Sequence, residues 1–178
     1  MDQFSQSINQ FVLATTQGAS LRVDTLNATP AGSTNDAVLR FDNAQTVTGF
    51  TVTTAATTGT EVKISQPGVY LCVLQTVITG AVSAILGITL DGAAGSLTGN
   101  PAWATAGTIA FSGTITGLAN LLQSATVMGF ARVTSAMAAS ASLGIVRFNA
   151  TDGSNATISS NAVAASTSGQ IFRIGPAD

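Results

Sequence analysis

The chain has no histidine, one glutamate (Glu61), one lysine (Lys63), one cysteine (Cys72) and one tryptophan (Trp103). Without histidine, the commonest general base and the commonest metal ligand are both missing. A lone cysteine excludes an intrachain disulfide and any zinc-finger spacing. It has no basic or histidine neighbour to make it a thiolate, and so reads as a small buried hydrophobe. Charge is scarce throughout: 8% of residues are Asp, Glu, Lys or Arg, where soluble domains average about 25%. The net charge is −2, and Arg22, Arg40, Arg132, Arg147 and Arg173 are dispersed, which argues against a nucleic-acid partner. No apolar run approaches the ~20 residues of a membrane span. Met1-Asp2-Gln3 opens without a basic region or targeting core, so no secretory route is expected.

Other chemistry is equally thin. Asp24, Asp36, Asp42, Asp91 and Asp152 are scattered and form no calcium loop. The glycines from Gly92 to Gly99 have no lysine to complete a phosphate cradle. Glu61 and Lys63 stand two apart on one strand face and read as a surface ion pair. Sequons at Asn27, Asn149 and Asn155 read as chance in a chain rich in Asn and Thr. The expectation is no catalytic residue, no metal and no cofactor: a protein that is not an enzyme.

What the chain has in quantity is Ala, Ser, Thr and Gly, with a hydrophobic fraction of 46%. So few charges leave a large free surface poorly solvated, which points to a surface covered by partners. From Asp36 onward, short β-like runs alternate with Gly, Asn, Asp and Ser breaks. The runs are Ala37–Phe41, Thr46–Thr53, Glu61–Ile64, Gly68–Thr79, Ala84–Leu90, Thr108–Ile115, Ser124–Val133, Ser140–Phe148, Ala156–Ser159 and Gln170–Ile174. Asp91-Gly92 and Asp152-Gly153 are turn signals between them. This pattern predicts one all-β domain, 34–178, built as a sandwich of two antiparallel sheets. The stretch with helical character is Gly117–Gln123.

Residues 1–33 differ. Phe4, Ile8, Phe11 and Val12 recur every three to four positions, Leu21 follows, and Ala28–Ser33 reads as a linker. This segment is expected to be an arm or an added strand and not a second domain.

The run Gly68–Thr79 is apolar on both faces. One carries Tyr70, Cys72, Leu74, Thr76 and Ile78, the other Val69, Leu71, Val73, Gln75 and Val77. A strand with one solvated face should alternate apolar with polar. Leaving four aliphatic side chains wet would forgo several kcal/mol at about 25 cal/mol per Å², so another subunit is the expected cover.

The segment Glu61–Gln75, EVKISQPGVYLCVLQ, resembles the central signature of the trimeric jelly rolls of the tumour necrosis factor and complement globular-head superfamily. There, a short strand meets a Pro or Gly turn, and Gly-hydrophobic-Tyr opens a long inner strand. Ser142–Asn149 (SLGIVRFN) resembles that family's penultimate strand, and Gln170–Gly175 (QIFRIG) its closing strand. The low charge and the lack of a collagen-like stalk resemble the jelly-roll proteins of bacteriophage virions. The resemblance implies a homotrimeric jelly roll with Val69, Leu71, Val73, Gln75 and Val77 at the threefold axis, and Tyr70, Cys72, Leu74 and Ile78 in each subunit's core. Such phage proteins decorate capsids or tip fibres, and the short chain without a shaft favours the first expectation, a decoration or cement protein on the capsid exterior that binds and stabilises the phage head. Its partners would be the major capsid protein or another virion protein, with no nucleic acid and no membrane. In that reading Phe4, Ile8, Phe11, Val12 and Leu21 anchor the arm to the capsid. The alternative is a receptor-binding head or tail-fibre tip recognising a host surface glycan or protein, with Trp103 in a ligand loop.

Overall fold

A computed structural model describes residues 18–22, 38–55, 59–79, 83–93, 107–112, 115–116, 122–152 and 167–177. These form eleven strands and one short helix: β1 (Gly18–Arg22), β2 (Asn43–Thr46), β3 (Phe50–Ala55), β4 (Gly59–Ile64), β5 (Gly68–Thr79), β6 (Ser83–Leu90), β7 (Thr108–Phe111), β8 (Ile115–Thr116), β9 (Leu122–Val133), α1 (Ser135–Ala139), β10 (Ile145–Asp152) and β11 (Ser168–Gly175).

The strands make two antiparallel sheets. One has the order β2-β1-β11-β5-β9; the other has the order β3-β4-β10-β6-β7, with β8 added beside β6. With β2, β3 and β8 set aside as additions, the remaining strands pair first with last (β1–β11), second with seventh (β4–β10), third with sixth (β5–β9) and fourth with fifth (β6–β7). A long antiparallel ribbon folded on itself pairs in this way, and the result is a jelly roll.

The core lies between the sheets. Tyr70, Cys72, Leu74 and Ile171 meet Val62, Ile64, Leu86, Ile88, Leu90, Val146 and Phe148, all fully buried. Aromatic edges meet faces where Phe41 crosses Phe148 at 5.9 Å and Phe50 crosses Tyr70 at 5.7 Å, the geometry that ring quadrupoles favour. The Tyr70 hydroxyl donates to the Gln66 carbonyl at 2.7 Å, so the polar tip of this buried ring is satisfied.

Several predicted runs change shape for local reasons. The run 46–53 divides into β2 and β3 at Gly49, whose φ of +97° suits glycine and not a β-branched strand residue. The run 140–148 begins only at Ile145, since Gly144 has φ +67°. Of the run 37–41, the described residues 38–41 cross from one sheet to the other: they make a single bridge, Val38 to Asn149, and the Phe41 amide donates to Thr60 Oγ1 at 2.8 Å. Ala156–Ser159 lies outside the described residues. Helix appears at Ser135–Ala139, where Thr134 caps the N-terminus by accepting from the Met137 amide. Leu122 and Gln123, expected to be helical, instead begin β9.

The segment 1–33 is not separate along its whole length. Gly18–Arg22 pairs with β11 from Gly18↔Phe172 to Arg22↔Ser168, and with β2 from Ala19↔Thr46 to Arg22↔Asn43. Leu21, proposed as an anchor, therefore belongs by its backbone to the sheet. Phe4, Ile8, Phe11 and Val12 lie outside the described residues.

Candidate oligomerisation face

Strand β5 alternates as its sequence requires. Tyr70, Cys72, Leu74 and Thr76 are buried against the opposite sheet, while Val69, Leu71 and Val73 are half-buried and Gln75 is exposed on the outward side. Residue 77 lies on the same side by register, and its side chain is outside the description, as is that of Ile78 on the core side.

The neighbours extend this outward face. Leu71 lies between Phe172 of β11 and Phe130 of β9, and Val73 lies between Gln170 and Met128. Met128 is 64% exposed and Phe130 65%, the two largest openings among the exposed apolar side chains. A band of Val69, Leu71, Val73, Met128, Phe130 and Phe172 thus crosses three adjacent strands, with Arg132 at one end and Gln75, Thr126 and Ser168 at the other.

Met128, Phe130 and Phe172 were not singled out from the sequence, although the signal was there. On β9 the core side reads Val127, Gly129, Ala131, Val133, and the bulk points outward at Met128 and Phe130. Small core residues are required because the opposite sheet comes close. A Cβ on Gly129 would stand 2.6 Å from Ala110 Cβ and 3.0 Å from the Ile109 carbonyl oxygen.

The outward side of the other sheet carries the charged side chains Glu61, Lys63 and Arg147 beside Ile145. Here the expected Glu61–Lys63 pair is not what forms. Arg147 lies directly opposite Glu61 in the β4–β10 ladder; its Nη2 donates to Glu61 Oε1 at 2.7 Å, and Nη1 donates to both Asp91 oxygens at 2.7 Å. Cross-strand partners stand closer than positions i and i+2 on one strand, so the ladder partner captures Glu61. Burial works against the Arg147 charge, yet the hydrogen bonds it donates to Asp91 and Glu61, with the pull of their charges, outweigh it and hold the guanidinium pKa above its ordinary value. Lys63 turns the other way. Its Nζ donates to the carbonyls of Met137 (2.8 Å), Leu143 (2.8 Å) and Ile64 (3.0 Å), tying α1 and the following turn to β4.

The remaining candidates have structural explanations. Burial pushes the Cys72 thiol up to about 12. Asn149 is fully buried and its amide donates to Thr89 Oγ1 and the Arg147 carbonyl, so that sequon is closed to modification. Among the described residues no three His, Cys, Asp or Glu side chains gather as a metal site, and no helix is long and apolar enough to cross a membrane. Trp103 lies outside the described residues.

No family model matches the chain, and no curated protein matches it. Among solved structures it is similar to one described as PRD1 vertex protein P5, at 15% sequence identity over 89% of this chain and 97% of that chain, with a TM-score of 0.45.

Proposed function

We propose that the chain is a non-enzymatic virion structural protein, a homotrimer that decorates a bacteriophage head and fastens neighbouring capsid subunits. The observation that carries this reading is the apolar band on the outward face of β11, β5 and β9. Six large apolar side chains side by side on an open sheet form the kind of patch that marks an interface. Burying the widely exposed Met128 and Phe130 contributes up to about 1.5–3 kcal/mol each, the half-buried members less, and the resemblance around Pro67–Tyr70 implies three copies. Packing three copies by this face places Val69, Leu71, Val73 and Met128 around a common axis.

The rest of the chain fits a shell component. Its 8% charge suits a molecule whose surface is largely occupied by partners. The chain ahead of Gly18, with Phe4, Ile8, Phe11 and Val12, is the segment we assign to the capsid contact. The test is add-back: the purified chain, incubated with heads stripped of decoration, should bind them and raise their disruption temperature. Binding to host cells with none to stripped heads would contradict decoration and favour a receptor-binding role.

A further inference from the structure

Strand β3 ends the six-stranded sheet, and among the described strands it pairs with β4 alone. The β3–β4 register runs from Phe50↔Ile64 to Ala55↔Gly59 without a shift. The Ser65 amide donates to the Gly49 carbonyl at 2.8 Å, and antiparallel alternation from that bond turns the backbone groups of residues 51, 53 and 55 toward β4. Those of Val52 and Thr54 face away from it. Native edges are normally guarded by charge, proline or a bulge, and Phe50-Thr51-Val52-Thr53-Thr54-Ala55 has none of these. The opposite edge of the sheet differs: β7 has four residues, and its register with β6 shifts between Ile88 and Thr89. Beside β3 runs an open groove lined by Phe41, Asp42, Ala44, Thr46, Val52 and Thr54.

We propose that β3 is a self-association edge, where two copies pair antiparallel about a twofold axis at Thr53. A second copy is the occupant because this strand complements itself. It carries no charge to repel its own image, and Thr faces Thr, a favourable cross-strand pair. The register follows from one bond. The Phe50 amide already donates to the Val47 carbonyl at 3.2 Å, so the free groups of Val52 in one copy meet those of Thr54 in the other. The register centred on Val52 would need the Phe50 amide, and the one centred on Thr54 would pair Val52 with position 56, past the end of β3. Thr53 then faces Thr53 across the axis as a non-hydrogen-bonded pair. The contact is isologous: each edge is used up by its partner, so single chains paired by it alone would stop at a dimer. It lies on a different sheet from the apolar band, so in the trimer proposed above it joins one trimer to the next. That last step alone rests on the proposed function.

The test is cysteine cross-linking of the full chain. Thr53→Cys places two thiols on Cα atoms about 4.5 Å apart, within disulfide reach. Thr51→Cys, equally exposed, leaves them about 13 Å apart, four residues along the strand. Cys72 is fully buried and stays silent. With diamide, Thr53→Cys should give a disulfide dimer on a denaturing gel roughly tenfold or more faster than Thr51→Cys. Thr53→Lys should abolish association beyond the basic oligomer. Equal cross-linking at both positions, or none at 53 while native mass still shows trimers, would overturn the edge contact alone. A Thr53→Cys dimer in a chain whose unmutated form is otherwise monomeric would support the edge and overturn the trimer.

Discussion

Gly169 of β11 lies hard against the ring of Phe148 in the opposite sheet: a Cβ built on Gly169 would stand 2.6 Å from Phe148 Cε2 and 2.8 Å from Cδ2. Phe148 is fully buried and also packs edge to face with Phe41 at 5.9 Å, so the ring has little room to retreat. Gly169→Ala is therefore an overpacking substitution, expected to cost about 1–3 kcal/mol. Urea unfolding followed by Tyr70 fluorescence measures it. An unchanged midpoint would mean that the two sheets are not packed as closely as described.

Arg147 bridges Glu61 and Asp91, pairing with both carboxylates. All three side chains are less than a third exposed. Arg147→Ala leaves two partly buried carboxylates facing a lost cation and should cost about 2–3 kcal/mol. Glu61→Gln keeps the Asp91 pair and should cost less than about 1 kcal/mol. Thermal melting of the two variants checks the order; equal losses would contradict the bridging role.

The Cys72 thiol, raised to about 12 by burial, predicts a pH dependence with a definite sign. In the unfolded chain the thiol ionises near its ordinary value of 9.0, while in the folded chain it stays protonated. Its contribution to stability is full below pH 9 and declines as pH rises from there toward 12, because only the unfolded state releases the proton. Native protein should be inert to a thiol reagent at pH 8 and react fully in denaturant. Prompt labelling of the native chain would contradict the burial.

The alternation of burial along β5 was legible in the sequence because that run is apolar on both faces for twelve residues, and its bounds follow directly from Gly68 and the change of composition after Thr79. The sandwich followed from the spacing of runs and turns. An added strand within residues 1–33 was one of the two expectations, but its place was not legible: Gly-Ala-Ser-Leu-Arg has neither β-branched residues nor a clear alternation, and pairing with β11 and β2 makes it a strand. Helix α1 has five residues, too few for a period to emerge. The outward band was half seen. Its β5 side chains stood out, whereas Met128 and Phe130 were hidden by the habit of assigning the bulky side of a strand to the core. The Glu61–Lys63 pairing failed for a related reason: proximity in sequence was visible, and the ladder partner Arg147 was not.

Strand β1 changes how the N-terminal segment must be tested. Deleting residues 1–17 stops short of Gly18 and should leave melting and oligomeric mass unchanged while weakening attachment to stripped capsids. Deleting residues 1–30 removes β1, which pairs with β11 and β2, and should lower the melting temperature markedly. A 1–17 deletion that binds capsids with full affinity would remove the anchoring role from Phe4, Ile8, Phe11 and Val12.

Native mass measurement of the unmutated chain beside Val73→Asp tests the central claim most directly. Val73 sits in the middle of the outward band, between Gln170 and Met128, and its side chain makes no part of the subunit core. A carboxylate there is tolerated by an isolated subunit but is costly when three converge in an apolar seam. The account predicts three times 17.8 kDa for the unmutated chain and a shift to monomer for the variant. A stable 17.8 kDa monomer for the unmutated chain, or a Val73→Asp trimer as firm as the parent, would contradict it.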